Sequence, residues 1–185
     1  MLTKRLKEFL EKNIELIEEN KFDELYKKAE YDLFFTQSIG TLTRTLLAAN
    51  INPIEYLSNI PYCYLYGDSN ITQFVIPDKV EFVNSQAFAN CSQLHDVIFG
   101  KNVYVVYYSA FENCTELTNV TLNDGLLEIG QYAFRNTNIE KLRLPSTLRD
   151  IGVQAFPELI TLEVFPGTYA HEWAVTNGYE TELIY

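Results

Sequence analysis

The sequence predicts an α+β fold: a solenoid of about four rungs, with a helical lid at its N-terminal end and a helical cap at its C-terminal end. The hydrophobic pattern has the period of helices before residue 68 and the period of strands after it. A fixed repeat period is typical of stacked units that each contact only their neighbours. The period is visible in an Ala-Phe pair whose phenylalanines are separated by 23, 23 and 22 residues, at Ala87-Phe88, Ala110-Phe111, Ala133-Phe134 and Ala155-Phe156.

Each repeat, in residues 69–165, also contains two short apolar patterns. The first has the period of two that marks half-buried strands, at Phe74/Ile76, Val97/Phe99, Val120/Leu122, Leu142/Leu144 and Leu162/Val164. An apolar residue that precedes each strand is predicted to point inward too, at Ile71, Leu94, Leu117, Ile139 and Leu159. The second pattern is an apolar pair spaced by three, at Val80/Val83, Val103/Val106, Leu126/Ile129 and Leu148/Ile151. One repeat cannot bury these side chains alone, so we expect neighbouring repeats to cover one another.

Residues 1–68 are predicted to form the helical N-terminal lid domain. The first helix is predicted from an apolar stripe at helical spacing, made of Leu2, Leu6, Phe9, Leu10, Ile14 and Ile17. Two further helices are predicted, one at residues 23–29 and one that ends near Asn50. Asn52 is expected to cap another short helix with Pro53 as its first residue. These helices would cover the first rung.

Residues 166–185 are predicted to form the C-terminal cap. Thr168 is expected to be the N-cap of a helix that ends before Gly178, because a threonine start and a glycine end suit helix termini. Ala170, Trp173 and Ala174 share one face at helical spacing, which suits the covering of the last rung. Residues 179–185 would add a closing strand.

The charge balance excludes two classes of partner. The chain has 14 Lys and Arg residues against 25 Asp and Glu residues, a formal net charge of −11. A nucleic-acid binder needs cations to neutralise phosphates, and an anionic membrane attracts cations too, so we expect no direct nucleic acid and no membrane partner. The first residues are charged and no apolar run has transmembrane length, which predicts a cytoplasmic protein.

The repeats resemble the BspA-type leucine-rich repeat family, whose units read roughly L-x-x-V-x-I-P-x-x-V-x-x-I-G-x-x-A-F-x-x-C. The resemblance covers about residues 70–180 and rests on Leu94 to Val97, Leu117 to Val120, Ile76-Pro77, Leu144-Pro145, Ile129-Gly130, Ile151-Gly152, the Asn-Cys pairs at 90–91 and 113–114, and a tail at 166–178 that looks like the family's terminal cap. It implies a leucine-rich-repeat solenoid that binds proteins and has no catalytic residues. The helical segment before the repeats resembles that of phage and gut-bacterial leucine-rich repeat proteins.

The residues that could carry chemistry do not form a recognisable catalytic or metal set. Cys91 and Cys114 occupy equivalent repeat positions, but Thr137 stands at the third, so small buried residues are the simplest interpretation. The two histidines, His95 and His171, lie in different rungs. The three cysteines are a low and odd number, which does not indicate a disulfide framework. We therefore predict no enzyme, no cofactor and no metal.

Two outward features are candidates for protein binding. The first is a tyrosine group, Tyr104, Tyr107 and Tyr108, in which Tyr107 stands where sister repeats have glycine. Exposed tyrosines are enriched at protein interfaces, although these three could equally pack against each other. The second is a row on the outward side of successive strands, of which Val75, Ile98 and Arg143 are predicted binding residues and Thr121 and Glu163 are the other members.

These features favour a non-enzymatic intracellular protein-binding module, phage-encoded and acting on a host protein with a basic surface. Three alternatives stay open: an acidic nucleic-acid mimic that inhibits a bacterial defence nuclease, a structural component that self-associates, and a surface adhesin. The sequence does not identify the partner, the oligomeric state or the face that binds.

Overall fold

The protein is a stack of parallel strands with helices at both ends, in a computed structural model that describes residues 4–33 and 36–185. The helices are α1 (Lys4–Lys12), α2 (Ile14–Glu18), α3 (Phe22–Leu33), α4 (Thr36–Ala48), a 3-10 helix (Pro53–Glu55) and α5 (Tyr169–Thr176). The strands are β1 (Asn59–Ile60), β2 (Gln73–Val75), β3 (Phe82–Val83), β4 (Asp96–Ile98), β5 (Val105–Val106), β6 (Asn119–Thr121), β7 (Glu128–Ile129), β8 (Lys141–Arg143), β9 (Asp150–Ile151), β10 (Thr161–Val164) and β11 (Glu180–Leu183). The predicted α+β solenoid with helical ends is confirmed.

The strands form three parallel sheets that run along the stack. One sheet has the order β1-β3-β5-β7-β9, a second has the order β2-β4-β6, and a third has the order β8-β10-β11. Within each sheet, neighbouring strands pair in register, as Val97 of β4 does with Val120 of β6. Equivalent residues therefore form rows that run from rung to rung, and the properties of a surface follow from the residues of one row.

The structure has five rungs, so the prediction of about four was one too few. The five-stranded sheet begins with β1, which precedes the first Ala-Phe pair. In this first rung Leu65 takes the phenylalanine position: its N–H donates to the Ala87 carbonyl at 2.7 Å, as the N–H of Phe88 donates to the Ala110 carbonyl at 2.8 Å. The rung was missed because its sequence lacks the repeated pair. The domain boundary at residue 68 stays a prediction, although the parallel sheet already begins at β1.

A ladder of phenylalanine rings fills the centre of the stack. The ring centroids of Phe88 and Phe111 are 5.1 Å apart, those of Phe111 and Phe134 are 5.2 Å apart, and those of Phe134 and Phe156 are 6.1 Å apart. Successive ring planes differ by only 2°, 1° and 6°. All four rings are buried. Because burial of one such side chain contributes roughly 1.5–3 kcal/mol, this row is a main source of the stack's stability.

Further aromatic residues close both ends of this ladder. At the first end, Tyr64 packs edge-on against Phe88 with 6.3 Å between centroids, and Tyr26 of α3 packs against Tyr64 at 5.7 Å. At the other end, Trp173 of α5 packs edge-on against Phe156 at 5.9 Å. The helices therefore cover the two apolar ends that a stack of repeats would otherwise expose.

The N-terminal helices differ from the prediction in three details. The apolar stripe expected as one helix is divided at Asn13 into α1 and α2, and Ile14 is exposed rather than packed inward. Leu2 lies outside the described residues. Asn52 makes no side-chain capping hydrogen bond; its Nδ2 donates to Oε1 of Glu55 at 3.3 Å instead, and Pro53 opens a single 3-10 turn. Too few residues remain before β1 for a longer helix here.

The C-terminal helix begins and ends at the predicted residues. Oγ1 of Thr168 accepts a hydrogen bond from the His171 N–H at 3.3 Å, and Gly178 has a φ of +78°, as expected of a helix N-cap and a terminating glycine.

Leu159 of the last repeat, predicted to point inward, is 96% exposed, whereas Ile160 is buried. The segment between the rung phenylalanine and the strand is shorter in this last repeat, so the next residue along the chain takes the inward position.

An asparagine ladder runs along one corner of the stack. Asn90, Asn113 and Asn136 have φ values of +61°, +60° and +57°, and Gly67 takes the equivalent position in the first rung with +68°. Nδ2 of Asn113 donates to Oδ1 of Asn90 at 3.1 Å, and Nδ2 of Asn136 donates to Oδ1 of Asn113 at 2.8 Å. Asparagine is one of the few residues that tolerate this backbone conformation, so each member forms the turn and also links two rungs.

We expect Asn113→Ala to lower the free energy of unfolding by about 2 kcal/mol. Alanine costs roughly 1–2 kcal/mol in a left-handed conformation, and the two ladder hydrogen bonds are lost as well. Asn113→Gly keeps the backbone unstrained and loses only the hydrogen bonds, so it should cost about half as much. Urea unfolding of both variants measures the difference. Equal destabilisation by alanine and glycine would show that backbone strain contributes nothing at this corner.

Candidate protein-binding faces

The six residues predicted to bind a protein lie in three separate regions. Val75 and Ile98 lie on the neighbouring strands β2 and β4 and are paired in register. Arg143 lies on β8, which belongs to a different sheet from β2 and β4. The three tyrosines lie at or beside β5, in the five-stranded sheet. The structure therefore brings Val75 and Ile98 together and separates them from the tyrosine group.

The outward row of β2 and β4 is an apolar surface that nothing in the described chain covers. Val75 is 62% exposed and Ile98 is 48% exposed, and they are direct neighbours across the strand pair. Thr121 of β6 continues the row and is exposed. The preceding residue on β4, Val97, is buried. We call Val75, Ile98 and Thr121 the strip.

The row becomes charged where the sheet is interrupted between β6 and β8. Arg143 contacts Asp124, with 3.4 Å between Nη2 and Oδ1, and its guanidinium carbon lies 5.4 Å from the centre of the Phe165 ring. A cavity of about 270 Å³ lies at this interruption, lined in part by Thr121, Arg143 and Glu163. Arg143 is thus already engaged by its own chain, and the apolar part of the row is confined to the strip.

The tyrosine group is only partly available to a partner. The Tyr104 hydroxyl donates to Oε2 of Glu81 at 2.8 Å, and this hydrogen bond raises the pKa of Tyr104. Its ring packs edge-on against Phe82 at 4.8 Å, and the Tyr107 ring lies 6.1 Å from the same phenylalanine. Tyr108 turns the other way, toward Tyr132 at 5.8 Å. Tyr107 and Tyr108 remain partly exposed, but their rings pack against different neighbours, Phe82 and Tyr132.

A series of side-chain contacts beside Tyr108, through Tyr132, Arg135 and Glu112, was not predicted from the sequence. The guanidinium of Arg135 lies 3.9 Å from the centre of the Tyr132 ring, which is cation–π geometry. Nε of Arg135 also donates to Oε1 of the mostly buried Glu112 at 2.8 Å. The sequence does contain an indication of this ion pair: Glu112 and Arg135 are 23 residues apart, which places opposite charges at equivalent positions of adjacent rungs.

The cysteines and histidines have structural partners. Sγ of Cys91 donates to the Leu65 carbonyl and Sγ of Cys114 donates to the Phe88 carbonyl, both at 3.1 Å. Both thiols are buried, as their repeat position predicted. The neighbouring Cys91 side chain and then burial raise the pKa of Cys114, which disfavours a nucleophilic thiolate. Nδ1 of His171 accepts a hydrogen bond from the Gly167 N–H at 3.3 Å.

Within residues 4–33 and 36–185, no group of three or more His, Cys, Asp or Glu side chains is placed to hold a metal ion. No helix in the same ranges has both the length and the apolar character needed to cross a lipid bilayer.

The fold and its faces define a solenoid repeat protein with helical ends. The sequence profile described as a BspA type leucine rich repeat region matches residues 58–168 in six copies. The match covers 111 of the 185 residues (168 − 58 + 1), so the chain belongs to the BspA-type leucine-rich repeat family and the resemblance is confirmed. The match begins at residue 58, which agrees with the first rung at β1. A comparison with curated proteins gives no match.

Several solved bacterial structures are similar to the chain. A leucine-rich cell surface protein of Faecalibacterium prausnitzii is 20% identical, with a TM-score of 0.49, over 60% of this chain and 31% of that one. A leucine-rich repeat protein of Bacteroides ovatus is 14% identical, with a TM-score of 0.45, over 69% of this chain and 43% of that one. The T. pallidum leucine-rich repeat protein is 23% identical, with a TM-score of 0.41, over 51% of this chain and 59% of that one. The chain spans less than two thirds of the length of each.

Proposed function

We propose that this protein is a non-enzymatic protein-binding module and that the strip of Val75, Ile98 and Thr121 is its principal binding face. The observation that carries the proposal is the side-by-side exposure of Val75 and Ile98 on paired strands over a buried core. Exposed apolar groups that are contiguous rather than scattered are typical of interaction sites. The membership in a repeat family without catalytic residues supports a binding role rather than an enzymatic one.

The strip is suited to binding because its scaffold is already ordered. All three side chains are β-branched and therefore have few rotamers. The strands that carry them are held by in-register pairing on both sides of β4. Binding therefore orders few additional side chains, which lowers the entropic cost of association. A partner would need an apolar side chain that fits between Val75 and Ile98.

The proposed partner is a protein with a basic surface around that apolar contact. Residues 71–185 contain 14 acidic and 6 basic residues, a net charge of −8, and such an excess steers basic partners toward the repeats. The more specific form of the proposal is an intracellular, phage-encoded protein that acts on a host protein. The same acid excess supports a second candidate, a nucleic-acid mimic that occupies a basic groove of a defence nuclease.

Capture from a bacterial lysate tests the principal proposal. We expect the chain to enrich a protein identified by mass spectrometry, and we expect Val75→Thr with Ile98→Thr to lower the affinity for that protein at least about tenfold. Threonine keeps the β-branching and strand preference of these exposed sites, so the melting temperature should not change. Val153→Thr, which alters an exposed valine away from the strip, is the matched control and should bind normally.

Different results would assign the binding elsewhere. Normal capture by the strip variant, together with loss of capture by Tyr107→Ser with Tyr108→Ser, would place the binding face on the tyrosine group. Capture that weakens steeply with salt and is competed by DNA would favour the nucleic-acid mimic. Failure to enrich any protein, with scattering that shows oligomers, would favour a self-associating structural role.

A further inference from the structure

The last strand of the described chain, β11, has an open edge. β11 pairs in parallel with β10 alone. The N–H of Ile184 donates to the Val164 carbonyl at 3.0 Å, so the backbone groups of alternate residues, Glu180, Glu182 and Ile184, face β10. The N–H and C=O groups of Thr181 and Leu183 then face away from β10, where no strand of the described chain lies. An edge of this kind is a template for pairing with another extended segment.

The apolar side of β11 is incompletely covered. Leu183 is paired in register with Val164 of β10, so both side chains lie in the same inward row. Val164 is fully buried, because β11 covers it, whereas Leu183 is 42% exposed although it points inward. The helix α5 closes the centre of the stack through Trp173 but leaves Leu183 partly exposed. One more strand on the edge would cover Leu183 as β11 covers Val164.

The outward side of β11 carries an excess of negative charge. Glu182 and its in-register partner Glu163 both contact Lys141, with Nζ–Oε distances of 2.8 and 2.9 Å. Among the described residues, Glu180 and Glu140 form no ion pair, so this side has four carboxylates for one ammonium group. The cation next along the sheet, Arg143, is paired with Asp124. A cavity of about 690 Å³ lies beside β11 and is lined in part by Glu140, Glu180 and Glu182.

We propose that the open edge of β11 binds an extended segment of a partner protein as an added strand, in which basic and apolar side chains alternate. The basic side chains would face Glu180 and Glu182, the apolar ones would cover Leu183, and the partner's backbone would pair with Thr181 and Leu183. This is strand addition, in which backbone hydrogen bonds supply affinity and alternate side chains supply specificity. The inference rests on the proposed function in one respect, that the chain binds proteins; the site itself is separate from the strip.

The charges distinguish this occupant from a second copy of the chain. Two β11 strands joined at their edges would place Glu180 and Glu182 close to the same carboxylates of the other copy. Like charges across a strand pair are destabilising, whereas lysine or arginine at those positions would be attracted. The electrostatics of the edge therefore favour a basic segment over self-pairing.

A synthetic peptide tests the proposal directly. The probe is a short, end-blocked peptide in which lysine and valine alternate, and its binding to the full chain is measured by fluorescence anisotropy. We expect saturable binding that weakens at least about tenfold when the same residues are rearranged into a lysine block and a valine block. Methylation of alternate backbone nitrogens in the alternating peptide should also weaken binding, because it removes donors without changing charge.

Two variants of the protein complete the test. Thr181→Pro removes an N–H that β10 does not use, and proline is tolerated on an edge strand, so the fold should survive while binding falls at least about tenfold. Thr181→Val keeps that N–H and should bind as the original chain does. Glu180→Gln, which breaks no ion pair, should weaken binding a few-fold, and this loss should shrink at high salt.

Several outcomes would overturn the proposal. If the alternating peptide did not bind, the edge would not be a binding site for such a segment. If the alternating and block peptides bound equally, only nonspecific charge attraction would be responsible. Binding that is unaffected by both Thr181→Pro and backbone methylation would exclude strand addition. A concentration-dependent dimer that Thr181→Pro dissociates would assign the edge to a second copy. Each of these outcomes leaves capture through the strip unchanged, so failure here is distinguishable from failure of the proposed function.

Discussion

Phe111→Ala is expected to lower the free energy of unfolding by about 3–5 kcal/mol, the largest effect of any single substitution considered. Phe111 stacks between Phe88 and Phe134 with centroid distances of 5.1 and 5.2 Å, and all three rings are buried. Alanine would remove contacts to both neighbouring rungs at once and leave a cavity in the middle of the stack. Because β5 of this rung is paired in register with both β3 and β7, the cavity can collapse only partly.

A matched control separates burial from side-chain size. Leu159→Ala also removes a large apolar side chain from a repeat, but Leu159 is 96% exposed, so we expect a change within about 0.5 kcal/mol. Chemical denaturation of both variants, monitored by circular dichroism, measures the two free energies. A comparable loss at both positions would contradict the assignment of the phenylalanine ladder as the centre of the core.

Gly152→Ala is expected to be the second most damaging change, with a loss of about 3 kcal/mol. A Cβ at this position would lie 2.2 Å from the backbone nitrogen of Gln131 and 2.6 Å from its Cα. These atoms belong to the backbone of the preceding rung, so no side-chain rotation can relieve the overlap. The two rungs would have to separate locally, which would weaken the pairing of β7 with β9.

Gly125→Ala is the control for this prediction. Its added Cβ would meet the Lys101 carbonyl oxygen at 3.4 Å, which is ordinary contact, so we expect a change within about 0.5 kcal/mol. Thermal unfolding of the two variants under identical conditions provides the comparison. If both substitutions lowered the melting temperature equally, loss of glycine flexibility rather than rung spacing would be the cause.

The regular part of the stack could be predicted from the sequence because it depends on local periodicity. The alternation at Val97 and Phe99 and the recurring Ala-Phe pairs predict which side chains point inward, and those residues are buried. The first rung was missed because Leu65 replaces the phenylalanine. Leu159 was assigned inward because the shorter connection in the last repeat shifts the register by one residue, a shift that an average repeat pattern does not contain.

The candidate faces were predictable only in part. The exposure of Val75 and Ile98 agrees with their outward positions in a strand pattern. The surroundings of the tyrosines were not predictable, because Tyr104 binds Glu81 one rung away while Tyr108 contacts Tyr132 in the opposite direction. A sequence pattern predicts that a side chain points away from the core, but it does not predict which neighbouring rung that side chain contacts.

By itself, the sequence determined the repeat period, the stacking of rungs on a phenylalanine row, and the presence of helices at both ends. These features follow from short-range apolar spacing, since burial of inward side chains is favourable in every rung alike. Only the tertiary structure decided the number of rungs, the interruption between β6 and β8, the separation of the strip from the tyrosine group, and the open acidic edge at β11. These depend on contacts between residues some 23 positions apart and on what covers the ends of the stack, which local periodicity does not encode.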